Sequence, residues 1–227
     1  MPPFSILDVI ALGVFIVAWG GYAYLNEYTP ISRRGLNAIM DGYRGVWMHR
    51  MLAREQRMVD MQIMAALQNG TAFFATTSLF AIGGTLTILR SSDEMIAIAS
   101  HLPFGIQTSR ALWEIKAIGL TLIFVYAFFK FAWAYRLYNY VAILLGATPM
   151  PQDKDTPEAE AHVTRTAGLF TTAGRHFNRG QRAFFFALGY LGWFVSPWLL
   201  MFTSVAVAVI LWRRQFASDS RHAVLDP

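Results

Sequence analysis

Four apolar runs dominate the chain, and the polar residues fall mainly between them. The runs cover residues 4–25, 71–89, 112–133 and 184–212. A helix that crosses a bilayer needs about 20 predominantly apolar residues, so each run predicts one transmembrane helix. No Lys or Arg precedes the first run, so a span is expected there rather than a secretory signal. The fourth run is longer than an upright crossing requires. Tilt, or a kink at Ser196-Pro197, would absorb the excess.

The segments between the runs carry a helical period. Leu36, Met40, Tyr43, Trp47 and Met51 recur every three or four residues, with Arg44, Arg50, Arg54 and Arg57 on other faces. Thr29-Pro30 or Ser32 can start this helix. It should reach Leu67 and then break near Asn69-Gly70, or bend directly into the second span. The third run stays apolar to Leu145, and a helix over 112–146 would measure about 50 Å, well beyond a core of about 30 Å. Pro149, Pro151 and Asp153-Lys154-Asp155 then predict a loop. Thr156-Pro157-Glu158 marks a helix start, with threonine as the cap, proline in the first turn and an acid near the positive end of the dipole. Val163, Ala167, Phe170, Gly174 and Phe177 form an apolar stripe beyond it, whose natural partner is the stripe of the 36–67 helix.

Composition supports a membrane protein. Of 227 residues, 55% are hydrophobic and only 15% charged, against about 25% charged in soluble domains. There is no cysteine, which excludes disulfides, thiolate catalysis and cysteine metal sites. The net charge of +5 has a distribution that matters more than its size. Residues 26–70 hold Arg33, Arg34, Arg44, Arg50, Arg54 and Arg57. Residues 134–183 hold Arg136, Lys154, Arg165, Arg175, Arg179 and Arg182. Against these twelve stand Arg90, Arg110, Arg213, Arg214 and Arg221. Basic residues collect on the cytoplasmic side, so both long segments are read as cytoplasmic and both termini as non-cytoplasmic. The Arg213-Arg214 pair opposes this reading. The same asymmetry accounts for the basic balance and removes the main support for a nucleic-acid partner.

The predicted architecture is an all-α integral membrane protein over residues 1–227 as a single membrane domain. Four transmembrane helices stand with a helical cytoplasmic layer built from about 30–69 and 134–183. Several stretches carry a family likeness. They are Asp8-Val-Ile-Ala-Leu, Trp47-Met48-His49-Arg50-Met51, Gln68-Asn-Gly-Thr-Ala-Phe-Phe-Ala-Thr-Thr-Ser, and Trp113-Glu114-Ile-Lys116 leading to Val125-Tyr-Ala-Phe-Phe-Lys130-Phe-Ala-Trp. Over roughly residues 5–212 the chain resembles the bacterial and plant membrane proteins grouped as domain-of-unknown-function 599. The resemblance implies a multi-span protein, with the bacterial inner membrane as the expected location, and carries no functional residue with it.

Candidate chemistry is sparse. Ionisable residues inside spans are costly and often functional. Lys116 and Lys130 lie about 40° short of four full turns apart and so share a face of the third helix, while Glu114 lies nearly opposite Lys130. The plain reading is that the two lysines snorkel to opposite interfaces; the functional one is a cationic path, or a lysine paired with a carboxylate across the bundle. Ser5-x-x-Asp8 resembles a capping box. Met58, Met61 and Met64 could hold Cu(I), but they suit a packing or partner surface better, as do Val163, Phe170 and Phe177. The five histidines are scattered, and Gly83-Gly84 lacks the lysine of a phosphate loop. Thr77, Ala81 and Thr85 form a small-residue row that permits close helix approach. No cofactor, metal or catalytic constellation is expected. Two functions remain: a non-enzymatic structural, assembly or accessory protein acting as a homo-oligomer or with a membrane-protein partner, and a small oligomeric channel or transporter with Lys116 and Lys130 near its path.

Overall fold

The computed structural model describes residues 5–101 and 108–225, and it is helical throughout, with no strand among those residues. Phe4, where the first apolar run begins, lies outside them. The helices are α1 (Ile6–Tyr28), α2 (Leu36–Leu52), α3 (Met58–Arg90), α4 (Ser92–Ser100), α5 (Arg110–Gly146), α6 (Pro157–Tyr190), α7 (Gly192–Val195), α8 (Pro197–Phe216) and α9 (Asp219–Leu225). A 3-10 turn over Pro30–Arg34 follows α1. Four helices are long and apolar enough to cross a membrane: α1, α3, α5, and α8 with its continuation to Leu225.

The chain divides into two compact units. The first comprises residues 1–36, 78–126 and 182–227; the second comprises 37–77 and 127–181. In the first unit, α1 starts with the expected capping box: the Ser5 hydroxyl accepts from the Asp8 amide, and the Asp8 carboxylate accepts from the Ser5 amide. The end of α6 runs antiparallel to α1. Arg182 pairs with Glu27, Phe186 stacks on Trp19 at 5.9 Å, and Tyr190 meets Phe15 edge-on at 5.2 Å. Trp193 in α7 then reaches Asp8, near the start of α1.

The chain reverses at this point, and the reading of 184–212 as one span is corrected. Ser196 precedes a proline and adopts an extended backbone, φ −160° and ψ 156°, because the proline ring excludes the helical region for its neighbour. Its hydroxyl then caps α8 by accepting from the Leu199 amide at 3.1 Å, with Pro197 in the first turn. A kink was anticipated at this dipeptide, but the result is a hairpin. Gly189 lies against Thr203 and Val207, and Phe185 lies under Arg214. The Thr203 hydroxyl donates to the Gly189 carbonyl at 2.7 Å. Gly192 makes the close approach possible: a Cβ there would sit 3.1 Å from the Leu199 carbonyl carbon. From this turn α8 runs parallel to α1. Gln215 ends up against Gly35, and the Arg221 Nε donates to the Arg34 carbonyl at 3.0 Å. The ends of α1 and α8 therefore lie side by side.

The second unit is built on a core of Met48, Met51 and Leu52 from α2, Met64 from α3, Leu137, Tyr138, Val141 and Leu145 from α5, and Val163, Phe170 and Ala173 from α6. The stripes of the 36–67 and 163–177 segments do meet here. The helix break between them and the second span does not fall at Asn69-Gly70, through which α3 runs uninterrupted. It falls at residues 53–57, where no glycine or proline occurs. Polar contacts set it. The Asp60 carboxylate, fully buried in the first turn of α3, accepts from Trp47 Nε1 at 2.6 Å and Arg54 Nη1 at 2.5 Å. Arg57 donates to the carbonyls of Thr148 and Pro149 at 2.8 and 2.5 Å, satisfying backbone acceptors beyond the end of α5. The loop over 147–156 ends where predicted, with the Thr156 hydroxyl accepting from Ala159 N at 3.3 Å.

Candidate functional site

The densest polar cluster of the first unit centres on Trp193. Its indole Nε1 donates to Asp8 Oδ1 at 2.8 Å, and its backbone carbonyl accepts from Lys116 Nζ at 2.7 Å. The Lys116 ammonium also lies 5.3 Å from the Trp193 ring centroid, within cation–π range. Tyr190 meets the same indole edge-on at 5.4 Å. Asp8, Lys116 and Trp193 are all buried. Each has a local reason to be there. Asp8 is held by the capping box of α1. Trp193 sits in the short α7, whose position follows from the Ser196-Pro197 turn. Lys116 lies one turn and a half into α5, where Gly119 leaves room for the Tyr190 hydroxyl.

Chemically this is a clasp. The Asp8 carboxylate already accepts from the Ser5 amide, the Ser5 hydroxyl and the indole. Lys116 spends its charge on a carbonyl at the end of a helical segment, where cations are favoured. Three separate helices are pinned through one tryptophan. Trp193→Phe removes the indole donor together with part of a buried ring and should cost at least about 1–3 kcal/mol of stability, read by thermal unfolding in detergent. The Asp8→Ala and Trp193→Phe effects should be strongly non-additive in a double-mutant cycle, and additive costs would show that the bond contributes nothing.

The other predicted residues are placed differently. Snorkelling does not describe Lys116, which is 4% exposed and bonded inside the protein. Glu114 joins neither lysine but accepts from Arg110 at 2.8 Å, and Arg110 also holds Asp93 at 2.8 Å. Lys130 is half-buried and belongs to the second unit. Met64, Val163 and Phe170 are buried in the core of the second unit, and Phe177 packs partly buried against it. These four form no free partner surface, because the protein's own helices consume the stripe. Met58 and Met61 remain exposed. Among the described residues, no group of three or more His, Asp or Glu side chains could hold a metal ion.

Two features escaped the sequence reading. One is the Asp60 cluster in the second unit. The other is the buried face of α3, carried by Met64, Thr71, Ser78 and Thr85 and continued by Ser92 at the start of α4. These stand seven residues apart, two helical turns, and that period was readable in the sequence. The face is polar but paired: the Thr121 hydroxyl donates to the Thr85 hydroxyl at 2.8 Å, and Gln68 Nε2 donates to Asn139 Oδ1 at 2.7 Å. Such bonds hold helices together in an apolar medium. The row singled out from sequence is less enclosed, with Thr77 and Ala81 only half-buried.

In the second unit, His49 donates or accepts between the Gly45 carbonyl at 2.9 Å and Glu160 at 3.0 Å. The backbone bond first, then the carboxylate, raises the imidazole pKa above its ordinary 6.5. A raised folded-state value means the gain is complete below about pH 6.5 and fades as the pH rises through the raised value. Both partners are more than half exposed, so screening keeps the gain below about 0.5 kcal/mol. The melting temperature of His49→Gln should therefore fall slightly below the parent at acidic pH and match it at pH 9. A constant difference across that range would remove the ion pair from the account.

A family model described as protein of unknown function, DUF599, matches residues 10–220. The chain belongs to this family. The match covers most of each of the four apolar helices, the whole Asp60 cluster, and Lys116 and Trp193 of the other cluster, while Asp8 precedes it. No curated protein and no solved structure matches this family member.

Proposed function

We propose that this DUF599 protein is a non-enzymatic structural, assembly or accessory protein of the bacterial inner membrane, working as a homo-oligomer or with a membrane-protein partner. The observation that carries the reading is the use made of its intramembrane charges. Asp8 and Lys116 are spent on holding α1, α5 and α7 together. A catalytic or conducting site would need such groups facing a substrate or a path. The surface offered outward is instead apolar. In the most apolar stretch of α3 only 11% of residues are buried, against 39% in α5. Phe73, Leu79, Phe80 and Leu86 of α3 all face away from the protein's own core. That face suits lipid or a neighbouring helix.

The hairpin supports one orientation. Because α8 ends beside the end of α1, Arg213, Arg214 and Arg221 share a side with Arg33 and Arg34. The basic count becomes fifteen against two, with only Arg90 and Arg110 opposite. The opposition from the Arg213-Arg214 pair disappears, and the positive-inside rule points one way. In this reading the N-terminus is non-cytoplasmic, the C-terminus is cytoplasmic, and the apolar end of α6 beyond Arg182, continued by α7, supplies a fifth crossing.

Native mass spectrometry of gently extracted protein tests the proposal. A closed homo-oligomer or a stoichiometric membrane partner is expected. A monomer that carries no partner would overturn it, as would ion flux from the purified protein in vesicles that Lys130→Ala abolishes.

A further inference from the structure

The hairpin brings together basic residues from the two ends of the chain. Arg33 and Arg34 close the turn after α1, and Arg213 and Arg214 close α8. All four are exposed, and no carboxylate holds any of them among the described residues. Two contacts fix the pairs beside each other. Gln215, buried, packs its side chain against Gly35, and Arg221 is tied to the Arg34 carbonyl. The acids of this region do little to neutralise them: Glu27 is occupied by Arg182, and Asp219 stands exposed on α9.

Aromatic residues border the cluster. Tyr24 and Tyr28 stack at 5.7 Å and are 61% and 72% exposed, and Trp212 packs on Phe216 at 4.4 Å. Tyr and Trp rings concentrate at the headgroup level of a bilayer. Ile31 and Leu225 expose apolar side chains next to the arginines. An aromatic band, then four guanidinium groups held by no carboxylate among the described residues, matches the order of layers from acyl chain to phosphate. Guanidinium groups bind phosphate through two parallel bonds, which an ammonium cannot do.

We propose that this end of the first unit is a binding surface for the phosphodiester headgroups of anionic lipids. The proposal rests on the reading that α1 and α8 cross a bilayer. Each basic residue near an anionic surface is worth about fivefold in binding. Four acting together should give clear selectivity for phosphatidylglycerol over phosphatidylcholine of the same acyl chains.

The test is native mass spectrometry of the full-length protein in detergent, titrated with each lipid. Phosphatidylglycerol should bind preferentially, and the R33Q/R34Q/R213Q/R214Q variant should lose at least about tenfold in its occupancy. The R90Q/R110Q variant should keep it. If the quadruple variant does not fold, R33Q/R34Q and R213Q/R214Q are measured separately, and each should weaken binding severalfold. Unchanged occupancy in these variants would overturn the proposal. So would displacement of the lipid by millimolar glycerol 3-phosphate, which would identify a soluble phosphate ester as the ligand. Lipid selectivity in detergent does not depend on orientation, so its failure is separable from a failure of the topology.

Discussion

Arg54→Ala is expected to destabilise the protein by about 3–5 kcal/mol, although Arg54 is nearly half exposed. The reason lies in its partner. The Asp60 side chain is completely buried, and its Oδ1 is satisfied by Trp47 and Arg54, while Oδ2 has no partner among the described residues. Without Arg54, a buried carboxylate keeps a single neutral donor. The reverse change is milder. Asp60→Ala releases Arg54 to water and strands only the Trp47 donor, so about 1–3 kcal/mol is expected. Asp60→Asn in the Arg54→Ala background should recover most of the loss, because it removes the charge and keeps the shape. Unfolding in detergent, followed by heat or by titration with a denaturing detergent, measures all three. An Arg54→Ala variant within about 1 kcal/mol of the parent would mean that Asp60 does not depend on Arg54, and the cluster would not explain the break between α2 and α3.

That break illustrates what the sequence could and could not reveal. Apolar length identified the long helices, because a bilayer leaves few alternatives to a helix. Local chemistry identified the Ser5 cap, the Thr156-Pro157 start and the interruption at Ser196-Pro197, since each depends on residues adjacent in the chain. The break at 53–57 depends on Asp60 reaching back to Trp47, and nothing in the intervening residues signals it. Lys116 was recognisable as unusual. Its partner is a backbone carbonyl, which has no sequence signature. The Met64, Val163 and Phe170 stripe looked equally suited to a partner or to the protein's own helices, and periodicity alone does not say which. The reversal at 191–196 was hidden for a different reason. Residues on both sides of it are apolar, and hydropathy records how much of a segment is apolar but not the direction in which it runs.

The consequence of that reversal is all-or-none. The chain has no cysteine, so single-cysteine variants label at one position only. Ser220 on α9, Gln56 between α2 and α3, and Ser100 at the end of α4 are all exposed. In the five-crossing reading, Ser220→Cys and Gln56→Cys share the cytoplasmic side and Ser100→Cys lies opposite. A membrane-impermeant maleimide should therefore label Ser100→Cys on intact spheroplasts, and the other two only after permeabilisation. Four crossings would instead place Ser220→Cys with Ser100→Cys, and joint labelling of those two would refute the fifth crossing. Labelling of Ser220→Cys and Gln56→Cys together on intact spheroplasts would keep five crossings and invert the protein. Fifteen basic residues would then face outward against two, contrary to the charge rule that orients multi-span proteins. The hairpin geometry and the charge distribution are independent observations, one from packing and one from composition. Their agreement on where α8 ends is what makes the labelling pattern a strict test.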